Sequence, residues 1–320
     1  MFDVVIIGLG CAGYTAAIYC ARYKLKTLIV GGVDGGMGIT AAEVGNWPGI
    51  IDIKGPDLME NFKKHAVSFE EVTHKVANVT KVTKGTKATK EGFTVTFQNG
   101  EILEGKAIIL ATGSAKRHLG VKGEEEFSGK GVTYCATCDA FFYKNKDVAV
   151  IGGGDSAVEG AAIAAQVAKT VYLIHRRNEF RAEPYWIDKI KEKKNIVMVL
   201  ENQITEVLGD AKVKSVKLAK AFQGSDSLTV DGVFIEVGST PSTELALQVG
   251  AEVDAKGYLK VKPDQSTNVP GFFGAGDVTN ASNYFAQFAT AAGEGSTAAN
   301  GAFNYLSTVG TKEGYMSGGG

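Results

Sequence analysis

Twice along this chain the same rhythm of apolar and polar positions recurs: an unbroken apolar run, a glycine-rich turn, an alanine-rich stretch, a second apolar run. Val4–Ile7, Ala12–Tyr23 and Thr27–Val30 make the first set, and Asp147–Ile151, Asp155–Ala168 and Val171–Ile174 the second. Runs without polar alternation read as strands covered on both faces, as in a parallel sheet. Each set is therefore a strand–helix–strand unit. After the first, Gly31–Gly38 reads as loop and Gly55–Phe69 as helix. Residues 76–106 alternate β-type runs such as Gly92–Phe97 with turns such as Asn99-Gly100, predicting a small antiparallel sheet. Ala107–Leu110 is a further buried strand. The second set carries its own antiparallel addition, Ile196–Leu208 with Val213–Lys220, and closes with Gly232–Val237. The first style then returns with a strand at Phe272–Gly274 and a helix over Gln287–Leu306.

This order predicts an α/β protein of two Rossmann-like, three-layer ββα domains, one inserted into the other. Residues 1–116 and 245–310 form the first domain, 117–244 the second, and 311–320 a disordered tail. Crossings near Gly113–Leu119 and Gly238–Leu245 are rich in Gly and Ser/Thr, which suits a two-stranded hinge. The length of 320 residues agrees with two domains. Hydrophobic content of 44% and charged content of 22% are those of a soluble globular chain. A net charge of -1 without a long basic face argues against nucleic acid or an anionic membrane as partner. No apolar run reaches the ~18–20 residues of a membrane span. Met1-Phe-Asp leads straight into the strand Val4–Ile7 without a leader pattern, so the expected compartment is the cytoplasm.

The turn of the first unit, Gly8-Leu-Gly-Cys-Ala-Gly13, is a Gly-x-Gly-x-x-Gly loop between strand and helix. The first Gly makes the tight turn. The second, Gly10, lets the backbone approach a pyrophosphate, whose charge meets the helix N-terminus. On its own such a loop is also an ordinary tight turn. Its context and the late Gly276-Asp277 strengthen the binding reading. A generic NAD site wants an acid about 20 residues further on. Here Val30-Gly-Gly-Val-Asp34 has no acid at the strand end, which departs from a simple NAD pattern. Asp277, at a strand end, can accept from the hydroxyls of a ribityl chain, or serve as helix N-cap support. The segment Ala286-Gln287-Phe288 opens the last helix, whose free N–H groups suit the pyrimidine edge of a flavin.

The second loop, Gly152-Gly-Gly-Asp-Ser-Ala157, repeats the pattern with Ala in the last position. The strand that would end in a ribose-binding acid ends instead His175-Arg176-Arg177, with Arg181 four residues after Arg177. An acid there would repel a 2′-phosphate, whereas guanidinium forks grip one. The inference is NADPH over NADH; the alternative is an exposed basic face.

Four cysteines are too few for a disulfide scaffold in a chain this long. Cys11 and Cys20 are expected as small apolar core thiols, too far apart along one helix to bridge. Cys135 and Cys138 lie in Cys-Ala-Thr-Cys-Asp139, a turn-rich stretch before the second unit. Zinc needs four ligands, and no second pair exists, His65, His74, His118 and His175 being scattered, so no metal site is expected. A passive disulfide over so short a loop gains little from loop closure. The remaining reading is an exchanging redox pair, one thiolate donating into flavin and the other attacking a partner's disulfide. Asp139 is placed to protonate the leaving thiolate, or is a turn former. Two nucleotide loops bracketing a dithiol point to a pyridine-nucleotide–disulfide reductase.

Over essentially the whole chain these residues resemble the low-molecular-weight thioredoxin reductases. The matching segments are Gly8–Arg22, Gly35-Gly36, Glu43–Gly49, Ala111–Gly113, Cys135–Asp139, Gly152–Glu159, His175–Ala182 and Gly274–Val278. The resemblance implies an FAD domain interrupted by an NADPH domain, a homodimer, thioredoxin as protein substrate, and a swing of the NADPH domain between two poses. It implies Cys138 as the flavin-proximal thiol, Cys135 as the thiol that attacks thioredoxin and Asp139 as the acid. The implied FAD-binding residues are Gly8, Gly10, Cys11, Ala12, Gly13, Gly31, Gly35, Gly36, Met37, Asn46, Val76, Ala111, Thr112, Gly113, Gly276, Asp277, Ala286, Gln287 and Phe288. The implied NADPH-binding residues are Gly152, Gly154, Asp155, Ser156, His175, Arg176, Arg177 and Arg181. The chain departs from the family in four places. Cys11 stands for a Pro, Met37-Gly38 for Gln-Leu, Ala286 for an Arg, and two extra residues lie within Asn280–Tyr284. Competing readings are the same fold serving another acceptor (a glutaredoxin-like protein, a peroxidase system, ferredoxin or flavodoxin) and a non-catalytic redox sensor.

Overall fold

The structure is a computed structural model that describes residues 1–41, 43–86 and 91–316, with side chains except those of Thr137 and 310–316. It divides into two compact units, Met1–Ala115 with Pro241–Gly320, and Lys116–Thr240.

In the first unit, β1 (Phe2–Ile7), α1 (Cys11–Arg22) and β2 (Thr27–Gly31) form the expected unit. They are followed by α2 (Gly55–Val67), β3 (Val72–Val76), β4 (Val79–Lys84), β5 (Phe93–Phe97) and β6 (Ile102–Leu110). The sheet order is β3-β2-β1-β6-β5-β4. The central strands are parallel and β6-β5-β4 is an antiparallel meander. β6 serves both: its first half pairs with β5, and its second half lies between β1 and a strand from the end of the chain. Residues of β1 alternate between two cores. Val4 and Ile6 pack with Tyr14, Ala16 and Ala17 of α1, while Val5 and Ile7 pack with Phe93, Val95 and Phe97 of the meander. Part of Gly31–Gly38, expected as loop, closes into a 3₁₀ turn over Gly36–Thr40.

The chain crosses at β7 (Ser114–Lys116). The second unit holds β8 (Val132–Thr133), α3 (Ala136–Asp139), β9 (Asp147–Ile151), α4 (Asp155–Ala164), β10 (Thr170–His175), α5 (Pro184–Lys191) and β11 (Ile196–Leu200). Then come β12 (Ile204–Gly209), β13 (Val213–Phe222), β14 (Ser225–Thr229) and β15 (Gly232–Ile235). A parallel sheet β11-β10-β9-β15-β8 carries α3, α4 and α5 on one face and the antiparallel sheet β12-β13-β14 on the other. The run Ile196–Leu208, expected as antiparallel, is two strands of different kind. Its first part, β11, is parallel to β10, and Asn202 breaks the run by bonding its side chain to the Lys220 carbonyl at 2.8 Å. The helix expected to reach Ala168 stops at Ala164.

The chain returns through β16 (Ser239–Pro241), α6 (Glu244–Gln248), β17 (Phe272–Gly274) and α7 (Phe288–Met316). The second crossing falls four residues before the expected boundary at 245. Residues Pro241–Gln248 belong to the first unit because Ala246 is buried with Val5 and Phe97, and Gln248 accepts the Val82 N–H at 2.8 Å. α7 runs through 311–316, where a disordered tail was expected. No proline interrupts it, and each added residue gains one helical hydrogen bond. The remainder of that expected tail, 317–320, lies outside the described residues.

Candidate active site

Backbone crowding sets both glycine loops, and sets them alike. Gly8 follows β1 with φ +133°, and a Cβ there would lie 1.9 Å from the Ala111 carbonyl oxygen. Gly152 follows β9 with φ +148°, and its Cβ would lie 2.2 Å from the Glu236 carbonyl oxygen. Only glycine meets both demands. The third motif position packs helix on strand: a Cβ at Gly13 would sit 2.0 Å from the Gly8 carbonyl. The middle glycines differ. A Cβ at Gly10 or Gly154 would meet nothing within 4 Å. Both are extended N-cap residues without a side-chain cap, of α1 and α4 respectively. The first-turn N–H groups of each helix therefore face open space suited to an anion.

Beside the first loop, and wholly within the first unit, lies a cavity of about 470 Å³. It is lined by Gly8, Gly10, Cys11, Ala12, Gly31, Gly36, Met37, Ala111, Thr112, Gly113, Gly276, Asp277, Ala286, Gln287 and Phe288. Gly13, Gly35, Asn46 and Val76 stand off it. Gly13 lies behind the loop. Gly35 donates its N–H to the Leu9 carbonyl at 2.9 Å. Asn46 Nδ2 donates to Gln287 Oε1 at 3.0 Å, so it holds a side chain that does line the cavity. Val76 ends β3 in register with Gly31 and is more than half exposed. Sequence reasoning missed Asn78, whose side chain closes over Gly32. An isolated Asn after an edge strand gives no signal of this.

Asp277 is the acid of this cavity. Desolvation, with the charge of Glu294 adding to it, pushes its carboxyl up to about 6. Glu294 accepts the Gly276 N–H at 2.8 Å and the Thr279 hydroxyl at 2.9 Å, fixing the turn that presents Asp277. The Cys11 thiol donates to the Phe288 carbonyl at 3.3 Å and ties the loop to the start of α7. Burial pushes the Cys11 and Cys20 thiols up to about 12, so both are inert neutral thiols, as expected. The donor set fits FAD: α1 N–H groups for the diphosphate, Asp277 for polyol hydroxyls, and the N-terminal turn of α7 for the flavin's electron-rich edge.

The second loop fits NADPH. Arg181 donates its backbone N–H to the Gly153 carbonyl at 2.7 Å, and Asp155 accepts the Glu183 N–H at 2.6 Å. The arginine segment is thereby bonded onto the loop. Arg176, Arg177, Arg181 and Ser156 are exposed around it. His175 lies under Gly153, and its Nε2 is buried without a protein partner among the described residues. Burial, then Arg181, Arg177 and Arg176, push its pKa down, so the ring is neutral at pH 7. The neutral ring and the exposed guanidiniums leave this face of the loop positively charged, as a phosphate requires.

In the same unit Cys135 and Cys138 are disulfide-bonded, with Cα atoms 5.3 Å apart. Cys135 is the N-cap of α3, and its sulfur accepts the Cys138 N–H at 3.3 Å. Cys138 is exposed and Cys135 half-buried. Asp139 accepts the hydroxyl of Thr133, whose oxygen in turn accepts the Cys135 N–H at 3.2 Å. Phe141 and Phe142 follow, 64% and 78% exposed, an apolar pair three and four residues after Cys138. No metal-ligating cluster occurs among the described residues.

The comparisons with known proteins agree with this pairing of nucleotide loops and disulfide. The family described as pyridine nucleotide-disulphide oxidoreductase matches residues 2–295. A thioredoxin reductase of Listeria innocua is 41% identical over 96% of this chain and 94% of its own length. A Pseudomonas fluorescens protein named glucosaminate ammonia-lyase is 43% identical over 95% of each. The crystal structure of a Lactococcus lactis thioredoxin reductase superposes with a TM-score of 0.89 at 34% identity, covering 96% of this chain and 100% of that one. With both loops and the bonded cysteine pair in the matched region, the chain belongs to the pyridine nucleotide-disulphide oxidoreductases, among the thioredoxin reductases.

Proposed function

We propose that this chain reduces the disulfide of thioredoxin with electrons from NADPH, through FAD and the Cys135–Cys138 pair. The observation that carries this is the bonded cysteine pair on a turn in the same unit as the NADPH-type loop. FAD, when bound, supplies the two-electron relay between nicotinamide and disulfide. Two electrons and two protons convert Cys135–Cys138 to a dithiol. Cys135 passes its proton to Asp139, and its thiolate attacks one sulfur of thioredoxin's disulfide, forming a mixed disulfide and releasing the other sulfur as a thiolate, which Asp139 protonates in return. Cys138, losing its own proton, attacks Cys135 Sγ, re-forming the internal disulfide and releasing the second thioredoxin sulfur, which takes up that proton. The assignment of Cys138 to the flavin side and Cys135 to the partner side follows the family match of Cys135–Asp139. The exposed rings of Phe141 and Phe142 suit a protein substrate rather than a small molecule.

Elimination of ammonia, the activity in the name of the Pseudomonas relative, involves no net redox change and leaves the cysteine pair idle. Another acceptor for the same electrons is the second reading. It is favoured by Met37 and Ala286, which line the cavity where the family holds a Gln and an Arg. The chain is further proposed to act in the cytoplasm as a homodimer; no helix among the described residues is long and apolar enough to cross a membrane.

The test is an anaerobic titration of the yellow protein with NADPH, read by flavin absorbance. About two equivalents per subunit for full reduction are expected, one for flavin and one for disulfide. Bleaching with about one equivalent means the pair is disconnected and overturns the proposal.

A further inference from the structure

A buried carboxylate stands behind the dithiol. Glu236 directly follows β15, and its N–H donates to the Ile151 carbonyl at 2.9 Å. Its side chain is 4% exposed. Burying a charge is costly unless every oxygen is bonded. Here both oxygens are used. Oε1 accepts the N–H of Ala136 at 3.1 Å, and Oε2 pairs with Lys116 Nζ at 2.6 Å.

Ala136 is the residue after Cys135 and the first of α3. It is fully buried and leaves room for no Cβ on Gly160 of α4, which would lie 2.7 Å from the Ala136 Cβ. The start of the dithiol turn is therefore clamped between α4 and one carboxylate. The Glu236 backbone meanwhile forms the wall against which Gly152 turns. One residue thus braces the NADPH-type loop with its carbonyl and the dithiol turn with its side chain.

We propose that Glu236, held by Lys116, is a positioning residue of the redox pair: it fixes the first N–H of the dithiol turn and cancels the Lys116 charge, which unpaired would favour the thiolate form. This rests on the reading of Cys135–Cys138 as an exchanging pair. Burial pushes the Glu236 carboxyl above the usual range, opposed by Lys116 and the Ala136 N–H. A buried polar group held by two such partners also has no packing reason to be there, since a leucine would fill the volume without desolvation.

The experiment compares wild type, Glu236→Gln and Glu236→Leu in glutathione redox buffers, counting free thiols by alkylation and mass. The equilibrium is dithiol plus oxidised glutathione against internal disulfide plus two reduced glutathiones, a two-electron exchange. Both substitutions leave the Lys116 charge uncompensated. Gln keeps an acceptor for Ala136, whereas Leu also frees the Ala136 N–H. A stabilised thiolate makes a pair more oxidising, so both variants should hold more dithiol at a given buffer ratio. The expected shift is about threefold for Gln and about tenfold for Leu, the latter equal to ~30 mV. Melting temperatures measured alongside separate this from a packing role, which would lower stability without moving the equilibrium in this graded order. Variants within twofold of wild type, or shifts toward disulfide, overturn the proposal while leaving the reductase reading intact. A wild-type pair that does not exchange at all overturns both.

Discussion

The hydroxyl of Thr133 donates to the carboxylate of Asp139, while its oxygen accepts the N–H of Cys135. One short side chain therefore sets both the proposed acid and the backbone of the proposed nucleophile. General-acid assistance is worth about 10²-fold or more. Asp139→Asn should lower kcat for thioredoxin reduction by about 10²-fold while NADPH still bleaches flavin. Thr133→Val should cost roughly three- to tenfold, on the scale of one hydrogen bond, and Thr133→Ser should restore most of it. Steady-state kinetics with thioredoxin and with ferricyanide separate the two half-reactions. Equal loss with both acceptors would remove Asp139 from the acid role.

The thiol roles are tested by trapping. With Cys138→Ser, Cys135 can attack thioredoxin but nothing resolves the mixed disulfide, so a covalent adduct accumulates and disulfide reduction stops. Cys135→Ser should give no adduct. Adducts are read by non-reducing electrophoresis and mass. The opposite result, an adduct only with Cys135→Ser, would reverse the assignment, as the greater exposure of Cys138 by itself would suggest.

What was legible in the sequence is what backbone geometry forces. Gly8 and Gly152 are obligatory because the carbonyl just past the end of a neighbouring strand occupies the Cβ position, so the loops are written in residue identity at fixed spacing. The flanking apolar runs are legible for the same kind of reason, being covered on both faces. Legibility failed where a polar residue decides. Asn202 splits the run 196–208 into a parallel and an antiparallel strand by bonding across to Lys220, and hydrophobicity alone does not show that. Glu236 was invisible because it falls inside the apolar run Gly232–Val237, where a single charge reads as a strand-end residue facing solvent. Only the fold brings Lys116 and Ala136, each about 100 positions or more away, to its two oxygens.

The arginine cluster predicts nucleotide choice. Arg181 is tied to the Gly153 carbonyl through its backbone, so its side chain can change without releasing the loop. Replacing Arg176 and Arg181 by Ala should raise KM for NADPH by about 10–100-fold, the worth of one or two charge-assisted hydrogen bonds. KM for NADH should change less than threefold. Equal weakening of both would show that the guanidiniums do not read a 2′-phosphate.

The middle and first glycines of a loop should separate binding from folding. A Cβ at Gly10 meets no protein atom within 4 Å, whereas one at Gly8 strikes the Ala111 carbonyl. Gly10→Val should fold with a near wild-type melting temperature once flavin is stripped, yet fail to retain flavin. Gly8→Ala should lose at least ~2 kcal/mol of stability with or without flavin. Should Gly10→Val bind FAD normally, the diphosphate does not lie over that residue.

Asp277 gives a prediction with a pH sign. In the flavin-free protein burial, with the charge of Glu294, pushes its carboxyl up to about 6, from the 3.8 usual for an aspartate. Between those values the native state holds more protons than the unfolded chain, so stability falls as pH rises through this window. The penalty is complete above about pH 6 and absent below about 3.8. Asp277→Asn removes the titrating group. Flavin-free Asp277→Asn should be more stable than the flavin-free parent by on the order of 1–2 kcal/mol at pH 7, with the difference closing toward pH 4. The same variant loses a charged acceptor for the polyol hydroxyls, and its FAD affinity should fall by about tenfold or more. Denaturant melts at several pH values and a flavin fluorescence titration provide the two readouts. A stability difference that does not vary with pH would mean that desolvation at Asp277 is relieved by other means, and the two effects would then have to be assigned separately to packing and to binding.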